Sequence, residues 1–93
     1  MNKTEFCQTV ASHILEYLPA SYRDGRVELT DRLKDNDQLL TGLSIRREDE
    51  SACPVIYLDQ YYDQYRFKDK DMEDVMHEIA QEYDRVLKNR SIL

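Results

Sequence analysis

Apolar residues recur at helical spacing in the first segment of the chain. Phe6, Val10, Ile14, Tyr17 and Leu18 fall on one side, and Cys7, Ala11 and Leu15 widen the stripe. Asn2 followed three residues later by Glu5 has the form of a capping box, and Pro19 disfavours helical backbone at the residue before it. The pattern predicts a helix from residue 3 or 4 to about 17. From Arg26 the period drops to two: Val27, Leu29 and Leu33 face one way, and Glu28, Thr30, Arg32 and Lys34 the other. Asp35, Asn36 and Asp37 supply turn chemistry. A second alternating run then sets Leu39, Thr41, Leu43 and Ile45 against Leu40, Gly42, Ser44 and Arg46, which predicts an antiparallel hairpin.

Residues 47–54 are polar and predict an exposed loop, after which Val55 to Leu58 form a short β-branched and aromatic run expected to be a third strand. Leu58, Tyr61, Tyr62 and Tyr65 share one face of a short helix that Asp59 is placed to cap. Met72, Val75, Met76, Ile79, Tyr83, Val86 and Leu87 make the clearest helical stripe, with Asp69 or Asp71 as its cap. Asp71, Glu73 and Asp74 gather at its start and Arg85, Lys88 and Arg90 at its end, matching the helix macrodipole. The predicted fold is α+β: an amino-terminal helix, a three-stranded antiparallel meander, a short helix and a long carboxy-terminal helix, all packed on one sheet face.

Composition bounds this picture. At 93 residues and 41% hydrophobic content, the chain has material for one domain spanning residues 1–93 and too much apolar content for a disordered tail. No apolar run approaches the roughly 20 residues that cross a bilayer, and the start lacks a secretion signal, so the expected location is cytoplasmic with Cys7 and Cys53 reduced. The net charge is -6, but residues 1–47 balance 7 acids with 7 bases. Residues 48–84 hold 12 acids against only Arg66, Lys68 and Lys70. Such a field repels phosphate backbones, which argues against direct nucleic-acid binding, and attracts a basic protein surface; solvation alone is the other explanation.

Catalytic and metal-binding patterns are incomplete. His77-Glu78 begins an HExxH motif, but Gln81 stands where the second zinc ligand is required. His77 instead has Glu73 and Asp74 one turn earlier as ion-pair partners, and His13 borders the first helix's apolar face. Cys7 and Cys53 belong to no CxxC pair, and neither Gly25 nor Gly42 lies in a nucleophile-elbow or phosphate-loop context. These absences predict a non-enzymatic protein with no cofactor and no metal. The densest feature runs from Tyr57 to Tyr65, with four of the seven tyrosines in nine residues, suited either to an interface or to packing the short helix on the sheet.

The segments from Glu5-Phe6 to Tyr17-Leu18-Pro19, the TGLSIR strand (Thr41 to Arg46), the PVIYLDQYYDQY run (Pro54 to Tyr65) and the closing helix together resemble an uncharacterised domain family of gut-dwelling Gram-positive bacteria. The resemblance implies a bacterial or mobile-element setting. It also implies members that are usually longer, with this chain expected to be their amino-terminal unit, and it brings no established catalytic residues.

Two functions follow. One is an acidic inhibitor of the anti-CRISPR type, which occupies a basic nucleic-acid-binding surface through Glu48, Asp49, Glu50, Asp59, Tyr61, Asp63, Asp69, Asp71, Glu73 and Asp74. The other is an adaptor or homodimer in which the acidic half meets Arg23, Arg26, Arg46 or Arg47 of a second copy. An enzyme subunit is a third class, with no residues to support it.

Overall fold

The computed structural model describes residues 1–34, 37–47 and 53–91. The first helix, α1 (Lys3–His13), opens on the expected capping box: Asn2 accepts the Glu5 N–H at 2.8 Å, and Glu5 accepts the Asn2 N–H at 3.3 Å. Beyond His13 the backbone winds more tightly, as 3-10 turns over Ile14–Tyr17 and Ala20–Tyr22. The single helix expected to about residue 17 is therefore an α-helix with a 3-10 extension. Pro19 forces Leu18 into extended backbone (φ -103°, ψ 161°), and a tightened last turn still delivers Ile14 and Leu18 to the core.

Strands β1 (Arg26–Leu33), β2 (Leu39–Arg46) and β3 (Ile56–Tyr57) form an antiparallel sheet in the order β1-β2-β3. The β1–β2 turn closes where the Asp37 N–H donates to the Lys34 carbonyl, with Asp37 in left-handed backbone (φ 61°). Asp35 and Asn36 lie outside the described residues. The register sets Val27 opposite Ile45, Leu29 opposite Leu43 and Leu43 opposite Ile56. The third strand is shorter than the expected span from Val55 to Leu58, although the Leu58 N–H still donates to the Thr41 carbonyl at 2.9 Å. The half-buried character expected of β1 is also reduced. The core takes Leu43 and Ile45 from β2 but only part of Val27 from β1, leaving Leu29 and Leu33 exposed.

Helices α2 (Asp59–Phe67) and α3 (Met72–Ser91) follow the sheet. Phe6, Val10 and Ile14 from the amino-terminal segment, Leu43 and Ile45 from β2, and Val75, Ile79 and Tyr83 from α3 interlock on one side of the sheet. The register extended past β3 places Pro54 beside Ile45, and proline has no N–H to offer. The Tyr83 hydroxyl fills that role, accepting the Ile45 N–H at 3.1 Å and donating to its carbonyl at 3.2 Å. On the opposite face Glu28, Thr30, Arg32, Ser44 and Arg46 border an open depression of about 370 Å³.

Candidate protein-binding surface

Packing absorbs most of the tyrosine-rich segment. The rings of Tyr62 and Tyr65 lie 5.4 and 5.7 Å from the Phe6 ring, and Tyr61 is buried. Burial pushes the Tyr61 phenol above its ordinary pKa, with Glu82 adding to the rise. Tyr61 lines a groove of about 340 Å³ between α2 and α3.

Several carboxylates of the acidic half are likewise engaged within the fold. Asp59 does not cap α2 with its side chain; it accepts the Thr41 N–H at 2.9 Å and pairs with Lys3, tying α1 and α2 to β2. Thr41 in turn donates its hydroxyl to Asp31 at 2.9 Å. Asp71 caps α3 by accepting the Asp74 N–H at 2.9 Å. Glu78 pairs with Lys70, Glu82 with Arg85 and Asp84 with Lys88. Asp69 adopts left-handed backbone (φ 56°) just beyond α2, where it ends the helix and stays exposed.

The carboxylates of Asp63, Asp69, Glu73 and Asp74 remain exposed. They surround the α2–α3 turn, and Phe67 stands in it at 71% exposure, the highest of any large apolar side chain among the described residues. Asp63 lies one helical turn before Phe67 on the same face of α2, and the Arg66 guanidinium stacks 4.9 Å from the Phe67 ring centroid. An exposed aromatic ring among carboxylates, with Arg66, Lys68 and Lys70 interleaved in the same turn, is chemically suited to a partner surface that combines an apolar pocket with lysines or arginines.

The residues with catalytic potential are placed differently. Cys7 is buried, and burial pushes its thiol above the ordinary value, opposed by the Lys3 charge and a hydrogen bond with Thr41. His77 packs edge-on against Tyr17 at 4.9 Å, and His13 meets Glu16 at 3.3 Å. Among the described residues, no group of three or more His, Cys, Asp or Glu side chains is placed to hold a metal, and no helix is long and apolar enough to cross a membrane.

A model of a family of unknown function, DUF5688, matches residues 3–92. The chain belongs to DUF5688. The match takes in α1, all three strands, α2 and α3, so the core and the acidic turn both lie within the DUF5688 unit. No curated protein and no solved structure matches the chain.

Of the partner-binding residues expected from sequence, Asp63, Asp69, Glu73 and Asp74 come together around one exposed turn with the Asp71 cap beside them. Asp59 and Tyr61 are drawn into the fold, and Glu48, Asp49 and Glu50 lie outside the described residues. Phe67 is the contribution that sequence reasoning missed. Its signal was its position off the stripe of Leu58, Tyr61, Tyr62 and Tyr65, which leaves an aromatic ring on the solvent side of α2.

Proposed function

We propose that this chain is a non-enzymatic protein-binding module of the cytoplasm, which engages a basic, nucleic-acid-binding surface of a partner protein through the acidic α2–α3 turn. The observation that carries the reading is Phe67, 71% exposed among Asp63, Asp69, Glu73 and Asp74. The carboxylates carry negative charge as phosphates do and steer the encounter, and the desolvated ring holds the complex. An inhibitor of the anti-CRISPR type, carried by a bacterial mobile element, acts in this way.

The test is affinity capture from a bacterial lysate at low and high salt, with the parent, Phe67→Ser, and a triple variant Asp63→Lys, Asp69→Lys, Asp74→Lys in parallel. The expected result is a nucleic-acid-binding protein retained by the parent at low salt, released as salt rises, and lost by both variants. Equal retention by parent and variants overturns the reading.

A further inference from the structure

The free edge of β1 combines open backbone with exposed leucines. In the β1–β2 ladder the Lys34 N–H donates to the Gln38 carbonyl at 2.9 Å, so even-numbered residues of β1 turn their backbone groups toward β2. Val27, Leu29, Asp31 and Leu33, one position out of phase, turn theirs away from the sheet. On the helix side Leu29 is 37% exposed, Leu33 64%, and Leu39, opposite Leu33 in the register, 52%. An accessible strand edge of eight residues bearing such side chains is a template for pairing with another strand.

We infer that β1 pairs with β1 of a second copy, antiparallel about a two-fold axis at Thr30, to make one continuous sheet through both molecules. Charge selects both the occupant and the register. With Thr30 opposite itself, Glu28 of each copy, which also meets Arg46 of its own sheet, faces Arg32 of the other, and the pairing is satisfied twice. Sliding the axis to Leu29 sets Arg26 against Arg32, whereas sliding it to Asp31 pairs Glu28 with Lys34 but opposes two aspartates at the centre. In the Thr30 register the even positions are non-hydrogen-bonded pairs, the closer kind, at about 4.5 Å between Cα atoms, which favours the Glu28–Arg32 contacts. Leu33 comes to lie across from Val27 and diagonal to Leu29 of the second copy, while Leu29 faces Asp31 of that copy. The remaining like-charge opposition, Arg26 against Lys34, falls at the strand ends in solvent. This association uses β1 and leaves the α2–α3 turn free, so it stands independently of the proposed function.

Sedimentation or light scattering of the purified chain is expected to show a dimer. Arg32→Glu alone and Glu28→Arg alone each place like charges face to face, and each is expected to weaken the dimer about tenfold or more. An equimolar mixture of the two variants restores opposite charges at both contacts and is expected to recover a mixed dimer, a result that simple misfolding of either variant does not give. Thr30→Cys is expected to form an intermolecular disulfide under mild oxidation, since non-hydrogen-bonded pairs meet disulfide geometry, while the parent, with only Cys7 and Cys53, does not. The inference is overturned by a parent that stays monomeric at the highest concentration reached, by a dimer indifferent to both charge reversals, or by a dimer in which Thr30→Cys does not cross-link.

Discussion

Adjacent residues of β2 inhabit two environments. Leu43 and Ile45 face the helices and are fully buried, whereas Ser44 and Arg46 face the open side, where Arg46 reaches Glu28 at 3.1 Å across the surface. Gly42 joins neither pattern: it lies on the open side yet is buried, because Val55 and Tyr57 cross over it, and an added Cβ would stand 2.7 Å from Val55 Cγ1. The covered face therefore carries the stability of the fold through close packing, and the open face is free to vary in charge and contact. The same division applies to the thiols, with Cys7 buried under the helices and Cys53 lining the open depression.

The sharpest way to break this contrast is to hollow out the covered face. Leu43→Ala removes a fully buried side chain and is expected to cost about 2–5 kcal/mol in denaturant unfolding, the range for truncations that leave a cavity. Next comes Tyr83→Phe, which keeps the ring but strips the hydroxyl from the Ile45 N–H and carbonyl. With both backbone groups left buried and unpaired, the expected loss is about 1–3 kcal/mol by the same measurement.

An effect of the same size tests the crossing over Gly42. Gly42→Ala is expected to destabilise by about 1–3 kcal/mol through the clash with Val55, and adding Val55→Ala is expected to recover most of that loss in a double-mutant cycle. If the two changes are additive, the closeness of Val55 does not set the size of residue 42. At the bottom of the scale, Ser44→Ala on the open face is expected to change stability by no more than about 0.5 kcal/mol.

The thiols offer a comparison by pH and labelling. Burial raises Cys7 above its ordinary value of 9.0 and Tyr61 above 10.0, so the unfolded chain loses these protons before the folded one. Their contribution is fully present below about pH 9 and is lost as pH rises through the raised folded values, and melting temperature is expected to fall over that alkaline range. A thiol reagent at neutral pH is expected to label Cys53 in the folded chain and Cys7 only on unfolding. Equal labelling rates would erase the distinction between the two faces.

Local rules carried the sequence reading a long way. Periodicity located α1, β1, β2, α2 and α3, because the repeat of buried positions along an element follows its own geometry, whereas the short 3-10 turn over Ala20–Tyr22 carries no such repeat. Asn2 and Glu5 identified the start of α1, and Asp69 or Asp71 narrowed the start of α3 to two residues, of which Asp71 is the cap, because a cap needs only neighbours in sequence. Asp59 is the instructive contrast. Its position before a helical stripe marks a cap, yet its carboxylate turns instead to Thr41 and Lys3, partners supplied by β2 and α1. A side chain with both local and distant donors within reach is decided by the assembly.

What the sequence determined by itself was the identity and order of the elements, the apolar stripe of each helix, and the charge surplus of the second half, since these are properties of consecutive residues. Only the tertiary structure decided which charges remain open to a partner and which apolar residues stay outside the core. Lys3 neutralises Asp59 from 56 positions away, Lys70 neutralises Glu78 across a turn, and α1, which passes over β1, still leaves Leu29 and Leu33 outside the core. Alternation along β1 told Leu29 and Leu33 which way to face. Whether anything lay there to cover them depended on how far three helices extend across a sheet, a quantity set by packing between elements.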